Sequence, residues 1–416
     1  MLSIAQALAR VLSTPPTLEA ERVPLAQAYG RVLAQDVRAA IDVPGWDNSA
    51  MDGYAVRAAD TASPPVSLRI NETIGAGSFG VFEVLPGTAS AIMTGAPMPR
   101  GADAVVMVER TDAAREGVVR VDVTAALGEH VRPRGGDVAE GEVVLRAGEH
   151  LKPSRVGLIA SLGHASVAVV RRPVVAILST GDEIVQPGEP LGDGQIYSSN
   201  NFALAGYVLE AGGVPLDLGN AADTLPAIRD ALQRAIALAD VVLTTGGVSV
   251  GVFDFVKEAY AELGVDVDFW RVAIKPGKPL AYGVAHRDGR AVPVFGLPGN
   301  PVSCVVTFLQ FVRPVLMSAQ GVAAPYLPLV SARALERIPE HPGRTKLLRV
   351  ALEQTPDGLV FRSAGRQSSG VLKAMAHSHG LLVREADQGG VEAGELAQVQ
   401  LLDASALGGE QLGFGG

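Results

Sequence analysis

Arg271, Lys275 and Lys278 place three cations within eight residues, with no acid among them, in a chain of formal net charge −9. Pro276 and Pro279 stiffen this loop, which keeps the ammonium groups aimed and lowers the entropy lost in ordering them. Such a loop suits an oxyanion. It is not a Walker A loop, because the glycine-to-lysine spacing of that motif is absent. In STGDE (residues 179–183) Asp182 and Glu183 follow a glycine. Paired carboxylates at such a turn can hold Mg²⁺, which prefers oxygen ligands and often bridges to substrate phosphates; ordinary turn chemistry would leave the same trace. TTGGVSVG (residues 244–251) sets two adjacent glycines among hydroxyls. Lacking a Cβ, glycine lets backbone N–H groups approach an anion closely. GLPGNPVS (residues 296–303) adds a helix start, with Asn300 at the N-cap and Pro301 at the first helical position.

These turns need strands and helices to carry them. Residues 174–178, 214–218, 241–243, 279–284 and 292–295 read as strands, and 201–210, 225–238, 254–263 and 301–317 as helices. Alternation of this kind predicts a doubly wound parallel α/β sheet, whose ligands bind beyond the carboxyl ends of the strands. Residues 3–12 read as a helix with Ser3 and Gln6 at capping-box spacing. Residues 25–32 read as a second helix and 34–43 as extended chain. Short strands broken by Gly and Pro fill residues 66–137, and more strand signals run through 141–170. Residues 329–402 return to strands and turns. One decoy lies in this set. GAGSFG (residues 75–80) matches G-x-G-x-x-G, but the strand-like run 81–85 follows it where the dinucleotide fingerprint requires a helix.

The 416 residues exceed one ordinary core. With 48% apolar and 19% charged residues the chain is globular, and its acidity argues against a general nucleic-acid binder. Cys304 is the only cysteine; it sits on an apolar helix and reads as core, so no internal disulfide is expected. No basic segment followed by an apolar run opens the chain, and no stretch reads as a membrane span. A cytoplasmic location is the expectation. His164, His286, His377 and His379 show no metal-ligand spacing, and no Ser-His-Asp arrangement stands out.

Taken together, DNSAMDGYA (47–55), IMTGAPMPRGADAVV (92–106), STGDE, GQIYSSNN (194–201), TTGGVSVG, IKPGKP (274–279) and GLPGNPVS resemble the molybdopterin molybdenumtransferase family, which includes bacterial MoeA and the gephyrin E domain. The resemblance spans nearly the whole chain. It implies a multidomain α/β plus β protein. A central α/β domain of molybdopterin-binding type (171–325) joins an elongated linking domain (1–45 and 140–170), a small β domain (46–139) and a C-terminal barrel-like β domain (326–416). It also implies Mg²⁺-dependent insertion of molybdate into adenylylated molybdopterin with release of AMP. The implied assembly is a homodimer with sites shared between subunits, in contact with the molybdopterin adenylyltransferase and with neither nucleic acid nor membrane.

By position, the resemblance gives catalytic roles to Asp52, Thr94, Asp137, Glu183, Asp223, Asp254, Lys275 and Lys278, with Asp52 and Glu183 positioning Mg²⁺. Thr180, Gly181, Asp182, Thr245, Gly246, Gly247, Ser249, Gly251, Arg271, Pro298, Gly299, Asn300 and Pro301 would bind substrate. Asp52 and Thr94 would act in the partner's site. The chain departs from the family pattern at Ala91, Gly136 and Ser198. Two other roles weighed are an adenylyltransferase charging molybdopterin from ATP and a non-catalytic pterin-binding scaffold. The Val248-Ser249-Val250 insert and the large β regions weigh against the first, and the intact site residues against the second.

Overall fold

The computed structural model describes residues 1–115, 117–246 and 255–408. The chain forms two compact units, one of Met1–Glu21, Gly30–Ala34 and Ala168–Gly416, the other of Arg22–Tyr29 and Gln35–Val167. Helix α1 (Ile4–Val11) opens the larger unit under its capping box: Ser3 Oγ accepts the Gln6 N–H while Gln6 Oε1 accepts the Ser3 N–H. Two backbone donors that no helical carbonyl can reach are thereby satisfied. Ala7 and Val11 are fully buried on its inner face.

The smaller unit is built on a six-stranded sheet of β1 (Gly53–Val56), β2 (Val66–Ile74), β3 (Thr88–Ile92), β4 (Ala104–Met107), β5 (Thr111–Arg115) and β6 (Val118–Val121), in the order β4-β1-β3-β2-β6-β5. Val56, Leu68, Ala89, Val106 and Val119 form its core. The glycine-rich decoy is a turn after β2, with no helix behind it. The run 81–85 is not a strand either. The Glu72 carboxylate takes the N–H groups of Val81 and Phe82, which a sheet neighbour would otherwise accept.

Two further readings of this region change. Residues 25–32 hold a single 3₁₀ turn, Leu25–Gln27, because the chain turns at Gly30 with φ +70°. Within 141–170 the structure forms a helix, α2 (Pro153–Ser161), with proline in its first turn and Val156 and Ile159 buried one helical turn apart. A short apolar run does not by itself separate helix from strand.

In the larger unit β7 (Val174–Thr180), α3 (Asn200–Glu210), β8 (Val214–Ala221), α4 (Leu225–Leu238), β9 (Val241–Thr245), α5 (Phe255–Glu262), β10 (Asp266–Arg271), β11 (Pro279–Arg287) and β12 (Arg290–Leu297) make the α/β domain. The sheet order is β8-β7-β9-β12-β11-β10. The first four strands are parallel. The sheet is mixed, because the short turn Asp288–Gly289 makes β11 and β12 an antiparallel hairpin, and β10 in turn pairs antiparallel with β11. A crossover long enough for a parallel return is missing there. Side chains alternate between two cores: Val175, Ile177 and Leu243 face α3 and the helix after β12, and Ala176, Leu178 and Val242 face α4 and α5.

That last helix runs as α6 (Pro301–Thr307), a π turn at Phe308–Val312 and α7 (Arg313–Ala319). Contrary to the sequence expectation, residues 301–319 are long and apolar enough to cross a membrane, yet 78% of the stretch is buried inside the unit. It is a core helix.

Strands β13 (Leu329–Ala334), β14 (Thr345–Thr355), β15 (Gly358–Ser363), β16 (Gly380–Arg384) and β17 (Leu396–Leu401) close into a barrel in the order β14-β15-β13-β17-β16, with β16 returning to β14. Leu348, Val350, Phe361, Leu382 and Val399 fill it. The two-residue strand Ile274–Lys275 pairs in parallel with Thr345 and Lys346 of β14. The cationic loop is thus stitched to the barrel by backbone hydrogen bonding.

Candidate functional site

Strands β7, β9 and β12 end in register, with Ser179 beside Thr245 and Thr245 beside Leu297. The turns beyond them surround a cleft of about 400 Å³ reached by Thr180, Glu183, Thr245, Gly246, Gly299 and Asn300. Side-chain amides tie the turns together: Asn200 Nδ2 donates to the Gly299 carbonyl at 2.9 Å and Asn220 Nδ2 to the Gly181 carbonyl at 2.8 Å. Thr180 and Thr245 are buried. Gly246 has φ +92°, and a Cβ there would lie 2.8 Å from the Thr180 carbonyl oxygen. Gly246→Ala should therefore destabilise the fold by about 1–3 kcal/mol and spoil the cleft. Thermal melting against wild type checks this, and an unchanged melting temperature would refute it.

Asp182, Glu183 and Asp223 gather on one side. Asp182 Oδ1 accepts the Asp223 N–H at 3.1 Å. Burial, followed by the charges of Asp182 and Glu183, pushes the Asp223 carboxyl above its ordinary range. Of these three acids Glu183 lines the cleft, and like charges held this close favour a counter-ion nearby. Among the described residues no group of three His, Cys, Asp or Glu side chains is placed to hold a metal ion by itself. Mg²⁺ does not need one, because it keeps waters and takes one or two carboxylates plus substrate phosphates. The residues present fit that mode.

The cationic loop differs from expectation. Arg271 and Lys278 are exposed, and the Lys278 carbonyl accepts the Val272 N–H at 3.1 Å. Lys275 is not free: its ammonium meets both carboxylate oxygens of Glu340 at 2.9 and 3.0 Å. Gly277 lies against α6, where a Cβ would meet Thr307 Cγ2 at 2.6 Å.

Three further cations lie on the barrel side. Arg344 donates to the Ile274 carbonyl at 3.1 Å. Lys346 is buried, with its ammonium on the His341 carbonyl, and burial lowers its pKa. Arg349 is fully buried; Nη2 donates to the Arg366 and Ser368 carbonyls at 3.1 Å, while Nε and Nη1 have no partner among the described residues. Burial pushes this guanidinium down to about 10. The same 366–369 loop reaches α6, where Ser369 accepts the Val302 N–H at 3.1 Å. Pro301 stands in the first turn, and Asn300 occupies the cap position without a side-chain capping bond. A buried guanidinium with two idle donors costs stability unless an acceptor completes it.

Sequence reasoning missed Arg344, Lys346, Arg349 and Glu340. The run GRTKLLR (residues 343–349) carries three cations, a signal hidden because charge on a strand usually means a solvated face.

In the smaller unit Asp52 accepts the Thr94 N–H at 2.7 Å and its hydroxyl at 2.9 Å. These bonds, the backbone one first, hold the Asp52 carboxyl below its ordinary range. Asp137 is exposed on the turn whose backbone pairs with Val43; no hydrogen bond joins it to Asp52 or Thr94 among the described residues. Gly247, Ser249, Gly251 and Asp254 lie outside the described residues. At the departures, Ser198 is buried with its N–H on Val185, Ala91 lies in β3, and a Cβ on Gly136 would sit 2.9 Å from the Pro133 carbonyl.

Family models match residues 2–163 as the MoeA N-terminal region (domain I and II), 176–318 as a probable molybdopterin binding domain and 331–402 as the MoeA C-terminal region (domain IV). The molybdopterin molybdenumtransferase 2 of Mycobacterium tuberculosis is 42% identical over 91% of this chain and 94% of its own length. The molybdopterin molybdenumtransferase of Bacillus subtilis is 35% identical over 96% of this chain and 94% of its own. A crystal structure of the molybdopterin biosynthesis MoeA protein from Pyrococcus horikoshii superimposes with a TM-score of 0.84 at 31% identity, covering 97% of this chain and all of that one. The strand-end cleft and the cationic loop stitched to the barrel thus lie in a chain that belongs to the molybdopterin molybdenumtransferase family.

Proposed function

We propose that the protein inserts molybdate into adenylylated molybdopterin, releasing AMP and the molybdenum cofactor. The observation that carries this reading is the meeting of two anion-seeking features at the start of α6. One is the glycine-lined cleft at Gly246 and Gly299. The other is the cationic loop, whose Lys275 pairs with Lys346 of β14, together with the buried Arg349, held on the 366–369 loop that reaches Val302, in a chain of net charge −9.

The division of labour follows from the chemistry of each part. Thr180, Gly181, Asp182, Thr245, Gly246, Pro298, Gly299, Asn300 and Pro301 seat the phosphates and nucleotide, whose charge backbone N–H groups at glycine turns accept without a Cβ in the way. Gly247, Ser249 and Gly251 extend that turn. Arg271, Lys275 and Lys278 hold the oxyanion, and the idle donors of Arg349 complete it. Molybdate then lies where its metal can take the dithiolene sulfurs. Glu183, with Asp182 and Asp223, would hold Mg²⁺, which as a Lewis acid would assist attack of water on the phosphoanhydride bond, so that AMP leaves and the pterin keeps its phosphate. Asp137 and Asp254 take catalytic roles by resemblance alone.

We place Asp52, kept ionised by Thr94, at the site of the partner in a homodimer, where it joins Glu183 at the metal. An Asp52→Ala subunit mixed with a Lys275→Ala subunit should then regain about a quarter or more of wild-type turnover in verified heterodimers; no recovery would overturn the shared site. A cytoplasmic location fits the single cysteine, which is buried and unpaired. Docking on the adenylyltransferase would pass the adenylylated substrate on directly.

The decisive experiment is to load the purified protein with adenylylated molybdopterin and add molybdate. Stoichiometric AMP release is the expected result. ATP consumption with molybdopterin alone, without molybdate, would replace this reading with adenylyl transfer.

A further inference from the structure

We propose that Glu340 is the resting counter-ion of Lys275 and competes with the incoming oxyanion for it. The inference rests on the molybdate seat proposed above. Lys275, Arg344 and Lys346 lie where the cationic loop meets the barrel, Arg349 projects from the other face of β14, and among the described residues none of Arg344, Lys346 and Arg349 has a carboxylate within ion-pair distance. Glu340 is the acid whose charge reaches Lys346 and Arg349. Arg384 is already paired with Glu395 at 2.8 Å. Glu340 therefore stands where an external anion would relieve the same charge.

The two partners differ in freedom. The Glu340 side chain is 12% exposed, and its residue is anchored through the Gly390 N–H, which donates to the Glu340 carbonyl at 3.0 Å. The Lys275 side chain is 43% exposed on a flexible four-carbon stem. Lysine is thus the partner that moves. An oxyanion recruits Lys275 only by drawing it off a carboxylate held by two hydrogen bonds, so affinity falls by whatever that pair is worth. Both a carboxylate and a tetrahedral dianion satisfy the ammonium, and one ammonium cannot fully serve both. Glu340 acts through Lys275 and is a positioning residue.

The test is calorimetric titration of the full chain with molybdate alone, and separately with sulfate alone, for wild type, Glu340→Gln, Lys275→Met and the double variant. Glu340→Gln should bind molybdate at least about fivefold more tightly, and that gain should vanish in the Lys275→Met background. In turnover, its KM for molybdate should fall by a similar factor while kcat does not rise. Tightening for sulfate as well would show that the competition is electrostatic. Unchanged or weaker molybdate binding by a folded Glu340→Gln protein would overturn the inference, since a merely structural pair would give that result. Should this variant fail to fold, Glu340→Asp, which draws the carboxylate back by one methylene, must show the same direction. A wild type that binds no molybdate, even with Glu340→Gln also silent, would instead overturn the molybdate seat itself.

Discussion

Lys275→Ala should lower molybdate-dependent AMP release by about 10²–10³-fold, the range seen when one preorganised charge-stabilising donor is removed. The chain should remain folded. The Lys275 side chain is 43% exposed, so little packing is lost with it. Its backbone pairing with Lys346 of β14 does not depend on the side chain. Glu340 is left without its partner, but the barrel cations around it, Lys346 and Arg349, still offset its charge. Thermal melting within a few degrees of wild type, with AMP release nearly abolished, is the expected pair of results. Undiminished turnover would remove Lys275 from the mechanism. The contrast with Glu340→Gln is informative: the two partners of one ion pair should move molybdate affinity in opposite directions, whereas a pair that only braces the barrel would move them together.

A second large effect belongs to stability. Asp240 begins the segment that becomes β9, and its side chain is 8% exposed. It accepts both terminal nitrogens of Arg171 at 2.6 and 2.7 Å and the Val174 N–H at 2.8 Å. Asp240→Ala leaves a part-buried guanidinium and a backbone donor without acceptors. Breaking such a pair from one side costs about 3 kcal/mol, equivalent to roughly 5–10 °C in melting temperature. The pH dependence has a definite sign. Burial would raise the Asp240 carboxyl, but hydrogen bonds from Arg171 and Val174 outweigh it and hold the group below its ordinary range. A group depressed on folding contributes stability above its unfolded pKa of about 3.9 and loses it as pH falls through the folded value. The gap between wild type and variant should therefore be full at pH 7 and shrink below about pH 4. A gap under about 2 °C at neutral pH would disprove the assignment. Because Thr244 and Thr245 end the same strand, the loss is expected to reach the cleft only as the strand loosens.

Much of this was legible in the sequence because it is local. Ser3 and Gln6 announced α1 through a bond spanning three residues, and 225–238 was read with its limits because Thr224 caps it and the apolar residues recur at helical spacing. The strand-end turns were legible for the same reason: Gly246 and Gly181 need a backbone that other residues resist, and that need is written in residue type. Where local signals balance, the reading failed. Residues 153–161 carry apolar side chains that suit either helix or strand, and burial of Val156 with Ile159 decided for helix. Residues 81–85 read as a strand, but Glu72 takes the N–H groups of Val81 and Phe82.

The sequence by itself determined which chemistry is on offer: an acid-bearing turn, glycine turns at strand ends, a proline-stiffened cationic loop and an Asp-Thr pair. The tertiary structure decided which of those charges are free. Glu340 reaches Lys275 across 65 residues of chain, and Arg349 becomes fully buried only where β14 packs against the 366–369 loop. Neither residue differs in type or spacing from a solvated charge on a loop or strand. Burial and pairing between distant segments are properties of the packed chain, because they depend on which surfaces meet, and residue order alone does not contain that.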